Sequence, residues 1–90
     1  MILKKKRETD KGYISYVINQ PCLVCYAMPC DPHHTKTVGS FGSDYTVISL
    51  CRKHHTECHQ IGKNTFQEKY GIDFDTEIIK LLIGYIKEME

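Results

Sequence analysis

A chain of 90 residues is a single domain, and at that size folding hides only roughly 60 to 65% of the unfolded surface, so the core is marginal and a staple is expected. Five cysteines, an odd number, and a start, "MILKKKRETDKGY", whose basic run has no apolar stretch behind it argue against secretion with paired disulfides; reduced cysteines in the cytoplasm are expected. A formal net charge of +1 argues nothing about nucleic acid, and no membrane segment is expected, because the apolar run around Leu81 to Ile83 is broken by Lys80 and Gly84, far short of about 20 residues.

Along the chain, Lys4, Lys5, Lys6 and Arg7 form a basic head within residues 1–12. "GYISYVINQP" follows, with Tyr13, Tyr16 and Val17 at helical spacing and Pro21 as its stop. Prolines at 21, 29 and 32 make the segment from Cys22 to Pro32 a loop or knuckle, and "TVGSFGSD" reads as a turn or hairpin tip. "YTVISL" is β-branched and reads as a strand. From Leu50 a helix is expected, stopped at Ile61-Gly62. The last helix is expected from Asp75 as N-cap through "TEIIKLLIGYIKEM", so that residues 75–90 add a C-terminal helix to a core over 13–74 in the same domain. Its apolar arc, roughly 200° wide, exceeds one packing contact and predicts homodimerisation or packing across two elements. Acids (Glu68, Asp73, Asp75, Glu77, Glu88, Glu90) gather at this end, whereas Lys36, Arg52, Lys53 and Lys63 surround the histidines.

All five histidines lie in "DPHHTK" and "LCRKHHTECH". Cys22 and Cys25 form a Cys-x-x-Cys knuckle, and Cys51 and His54 repeat the two-residue gap at the start of a helix, together the four ligands of a tetrahedral structural zinc. On a helical wheel Cys58 falls on the face of Cys51 and His54, and Cys30 follows the knuckle closely, so either could substitute as a ligand, though each is more often a small buried hydrophobe. His55 and His59, four apart, share a helical face about 90° round from that of Cys51 and His54, so one helix can serve two metals.

The order Cys-x-x-Cys, "DPHH", a glycine-containing turn, a strand, "LCRKHH" and "HQIG" resembles the HNH endonucleases, especially small phage proteins similar to the recombination-enhancement (Ref) nucleases, over about residues 13 to 73. The resemblance implies an α+β fold of the ββα-metal (His-Me finger) type, in which the double histidine ends the first strand of a hairpin and the second strand leads into a helix. It implies His33, His55 and His59 as ligands of a catalytic divalent ion and His34 as general base. Three imidazoles suit zinc, manganese or nickel, while magnesium would need water and phosphate to complete its shell.

Where the family's central Asn is expected, this chain has Thr46, with Asp44 and Tyr45 beside it; Thr46 or Asp44 must orient the base by another hydrogen bond. Related phage proteins carry a Lys in the glycine turn, where Ser40 and Ser43 stand here, leaving Lys36 as the nearest phosphate contact beside Arg52, Lys53 and Lys63. The function implied is a DNA endonuclease or nickase, phage or prophage encoded, whose targeting a recombinase filament assists. The competing reading is a catalytically silent, zinc-stabilised nucleic-acid-binding module. His34 discriminates, because only an enzyme needs it off the metal and open to solvent.

Overall fold

A computed structural model of the protein describes residues 9–35 and 43–89. The basic head from Lys4 to Arg7 and the turn that includes Lys36 and Ser40 lie outside the described residues. Asp10 starts the first helix by accepting the backbone N–H of Tyr13 at 2.9 Å on Oδ1, and α1 runs Lys11–Ile18, ending before Pro21 as its sequence requires. It buries Tyr13 and Val17, two of the residues whose spacing predicted it.

Strand β1, Cys30–His34, pairs antiparallel with β2, Val47–Cys51, in a register that sets Cys30 opposite Cys51 and His33 opposite Ile48. Two expectations shift here. The knuckle segment ends at Pro29, because Cys30 already belongs to a strand, and the second strand starts only at Val47, because Asp44–Thr46 form a 3-10 turn capped by the Ser43 hydroxyl. The helix expected from Leu50 is likewise delayed: Leu50 and Cys51 complete β2, and α2 spans Arg52–Ile61.

Gly62 both closes α2 and opens α3, Lys63–Tyr70, with φ 89° and ψ 153°, a region that essentially only glycine occupies. This third helix was not expected from the sequence. It buries Phe66 alone, so its apolar periodicity is faint, although a fully buried Phe contributes about 1.5 to 3 kcal/mol. The last helix, α4, spans Phe74–Glu88; Asp73 caps it, its Oδ2 accepting the Thr76 N–H at 3.1 Å, which corrects the expected cap at Asp75. Asp75 sits instead in the first turn, where negative charge suits the helix dipole.

The result is a mixed α+β fold in which, among the described residues, four helices surround a two-stranded sheet. Leu81 and Leu82 of α4 touch two buried groups: Ile48, Leu50, Phe66 and Phe74 with three cysteines on one side, and Tyr13, Val17 and Val47 on the other. The wide apolar arc of α4 is thus partly explained by packing across two elements. Its other edge, Ile79, Ile83 and Ile86, is exposed. No helix among the described residues is long and apolar enough to cross a membrane.

Candidate functional site

The knuckle is held by its own backbone. Cys22 N–H donates to the Ala27 carbonyl, Tyr26 N–H to the Cys22 carbonyl, and Val24 N–H to Cys22 Sγ at 3.4 Å. Leu23 N–H reaches the Ser49 carbonyl and the Ser49 hydroxyl donates to the Pro21 carbonyl, which fastens the loop to β2 beside Cys51. Cys22, Cys25, Cys51 and His54 consequently present ligand atoms all within 4.8 Å of one another, a group able to hold a metal ion. Bonds of about 2.3 Å to sulfur and 2.0 to 2.1 Å to nitrogen place neighbouring ligands of tetrahedral zinc roughly 3.5 to 3.8 Å apart. Cys25 Sγ lies 3.7 Å from Cys51 Sγ, and His54 Nδ1 lies 3.7 Å from Cys22 Sγ and 3.2 Å from Cys51 Sγ, so the donor set fits that ion.

Burial raises the Cys22 thiol pKa, but backbone N–H groups of Cys51, Cys25 and Val24 outweigh it and the net shift is downward, toward the thiolate a metal binds. The two alternative cysteines stand apart from this group. Cys30 donates its thiol to the Ala27 carbonyl, and burial drives its pKa up to about 11. Cys58, buried one turn after His54, has its Sγ 3.6 Å from His33 Nε2 and falls outside the four-ligand group.

A second group comprises His33, His55 and His59, whose ligand nitrogens also fall within 4.8 Å of one another. His33 stands 5.0 Å, ring to ring, from both helical histidines. It is buried, and among the described residues its Nδ1 has no hydrogen-bond partner. An orphaned imidazole nitrogen in such a place is costly unless an ion takes its lone pair. Burial, followed by the charges of His55, His59 and His34, lowers the His33 pKa to about 4, which keeps the ring neutral and able to ligate at pH 7.

Asp31 supplies what sequence reading had not singled out. Its Oδ2 lies 3.0 Å from His55 Nδ1 and 2.9 Å from Arg52 Nε. A carboxylate on one imidazole nitrogen fixes the tautomer that leaves the other nitrogen for a metal. Asp31 lies two residues before His33 on β1, so the alternation of the strand sets both toward α2. Arg52, expected as a phosphate contact, turns its guanidinium onto Asp31.

His34, next to His33 on β1, points elsewhere: its Nε2 is 3.0 Å from Asp44 Oδ1, and 31% of its side chain is exposed. It borders a cleft of about 240 Å³ lined also by His33, Thr35, Cys58, His59, Gly62 and Lys63. Thr46, expected as one orienting group, is engaged away from His34, because its hydroxyl donates to the Ser43 carbonyl and its own carbonyl accepts Thr35 N–H and hydroxyl. The group on His34 is Asp44. Lys63 reaches the cleft, and Lys53 is exposed on α2.

Fold and site together define a small α+β domain with one Cys/His group and one three-histidine group able to hold metal ions. The chain belongs to the family described as "Protein of unknown function (DUF968)", whose model matches residues 1–84. It is 38% identical over 73 residues to "Uncharacterized protein YdfU" of Escherichia coli (strain K12), an alignment covering 76% of this chain and 21% of that protein. The chain therefore spans about a fifth of the curated relative's length. No solved structure matches.

Proposed function

We propose that this protein is an HNH-type, metal-dependent endonuclease or nickase of DNA, stapled by a structural zinc at Cys22, Cys25, Cys51 and His54. The observation that carries the reading is the grouping of His33, a buried ring whose Nδ1 is orphaned among the described residues, with His55 and His59, while the adjacent His34 stays outside their ligand group. That is the division between ligands and base that phosphodiester hydrolysis needs. The hairpin of β1 and β2 leading into α2 is the order of elements that the resemblance to the ββα-metal fold implies.

An ion bound by His33, His55 and His59, whether zinc, manganese, nickel or a more weakly held magnesium, would supply positive charge to the phosphoryl oxygens and the departing 3′-oxygen. His34 takes a proton from water; the water oxygen forms its bond to phosphorus as the bond from phosphorus to the 3′-oxygen breaks, and that oxygen leaves with a proton from solvent. Asp31 keeps the His55 ring in its ligating orientation. Lys63 borders the same cleft as His34 and His59 and is the cation placed there to meet a phosphate. Contacts of this kind read backbone and leave base specificity to other determinants. The resemblance further supports a phage or prophage role in DNA processing, with a recombinase filament as the partner that directs cutting.

The test is nicking of supercoiled plasmid by metal-loaded protein, with and without chelator, beside His34→Ala. Metal-dependent nicking that His34→Ala lowers by about 10² to 10⁴ supports the proposal. DNA binding with no cleavage under any divalent ion rejects it in favour of the silent binding module.

A further inference from the structure

Asp44 is a buried carboxylate, 8% exposed, placed by the 3-10 turn that precedes β2. Its Oδ1 meets His34 Nε2 at 3.0 Å, and its Oδ2 accepts the backbone N–H of Asp10 at 2.9 Å. Asp10 is itself fixed, because its Oδ1 caps α1 through Tyr13 N–H and its Oδ2 accepts the Tyr45 hydroxyl at 2.6 Å. The carboxylate beside His34 is therefore anchored to the N-terminus of a helix that lies far away in sequence.

We infer that Asp44 is the positioning residue of the general base, holding His34 in the tautomer with its proton on Nε2 so that Nδ1 is the atom that accepts the proton of water. This rests on the nuclease reading of the same cleft. A carboxylate accepts only, so the nitrogen facing it carries the proton, and the ring's acceptor is then the opposite nitrogen. The second oxygen explains why an acid serves here better than an amide. Among the described residues, N–H groups of both His34 and Asp10 converge on this side chain. A carboxylate accepts both, whereas an amide offers a single oxygen and would set its NH₂ against one of the donors. Thr46 cannot substitute, its hydroxyl being directed to Ser43.

The inference ties α1 to the catalytic apparatus, since the N–H of its cap residue Asp10 helps to steady Asp44. The experiment has two arms. In zinc-loaded protein, ¹⁵N-resolved NMR of the histidine rings should show His34 with its proton on Nε2, and Asp44→Ala should convert it to a mixture of tautomers. In plasmid nicking, Asp44→Ala and Asp44→Asn should each lower kcat by about 10- to 100-fold while KM and bound metal stay at wild-type values. If Asp44→Ala fails to fold, Asp44→Asn and the wild-type tautomer still decide. A wild-type His34 protonated on Nδ1, or a folded Asp44→Ala that keeps full kcat, overturns the inference while leaving the nuclease reading in place. A wild type that shows the expected tautomer but never cleaves overturns the nuclease reading, and with it the catalytic role assigned to Asp44.

Discussion

Replacing Asp31 by alanine removes the carboxylate that lies 3.0 Å from His55 Nδ1 without touching any of the three imidazoles grouped for metal. Loss of such an outer partner lowers metal affinity by about 10- to 100-fold, or about 1.4 to 2.7 kcal/mol. The structure narrows that range. The Asp31 and His55 side chains retain 25% and 24% exposure, so water can take over part of the hydrogen bond, and the loss belongs near the tenfold end. The ion pair to Arg52 adds little, since that guanidinium side chain is 84% exposed and such pairs contribute at most about 1 kcal/mol. Asp31 is held ionised: the hydrogen bond from His55 lowers its pKa, partly offset by burial and reinforced by Arg52. Asp31→Asn keeps an oxygen for His55 and should lose less affinity than Asp31→Ala. The assay is competition between the protein and a chromophoric chelator for cobalt or zinc, with the Cys/His group already filled. Wild-type affinity in Asp31→Ala would refute the reasoning, and so would loss of metal from the Cys/His group.

Cys22→Ser should lose about one zinc per chain and unfold cooperatively at a much lower temperature, because binding at a structural zinc group is folding free energy; metal analysis and a thermal melt check both. His59→Ala should empty the three-histidine group yet keep the zinc at Cys22, Cys25, Cys51 and His54, whereas His34→Ala keeps both ions, a contrast that metal stoichiometry reads without any cleavage assay. Gly62→Ala should destabilise by about 1 to 3 kcal/mol, since its φ of 89° and ψ of 153° strain any residue with a Cβ; a denaturant midpoint equal to wild type would contradict this.

Legibility in the sequence followed how strongly each feature is encoded locally. The paired two-residue gaps at Cys22/Cys25 and Cys51/His54 were enough to group four ligands, because knuckle and helix start are short-range geometries. The first helix was legible from Tyr13 and Val17, both buried. By contrast, α3 was not, since Phe66 is its one buried residue and a single apolar side chain carries no period. Asp73 and Asp75 are equally good caps by composition, and only the chain's path past Phe74 selects the first. The orienting group stayed open between Thr46 and Asp44 in the sequence because counting back along a strand presumes alternation of side chains, and the 3-10 turn at Asp44–Thr46, which interrupts it, sets Asp44 against His34. Asp31 escaped notice for a related reason: its partner His55 lies on another element, at a distance in sequence that no local pattern spans.

Two adjacent-histidine pairs in so small a chain make sense through the two periods of regular backbone. On β1 successive side chains point to opposite faces, so His33 enters the space under α2 while His34 turns toward Asp44. On α2 successive side chains diverge by about 100°, so His54 joins the cysteines while His55 joins His33. Four neighbouring residues thereby reach three destinations, and one helix contributes to both ligand groups. A metal ion held by the first group would do more than stabilise. Through Cys51 and His54 it would tie the first turn of α2 to β2 and the knuckle, and that turn carries His55 and leads to His59 one turn later. Any loosening of the first group displaces two of the three nitrogens of the second, whereas emptying the second leaves every ligand of the first in place. Stepwise chelation should therefore be ordered, the three-histidine ion leaving first with the fold retained and the Cys/His ion leaving only as the domain unfolds. Release in the opposite order, with His33, His55 and His59 still binding metal after the first group is empty, would show that α2 does not depend on the staple for its position.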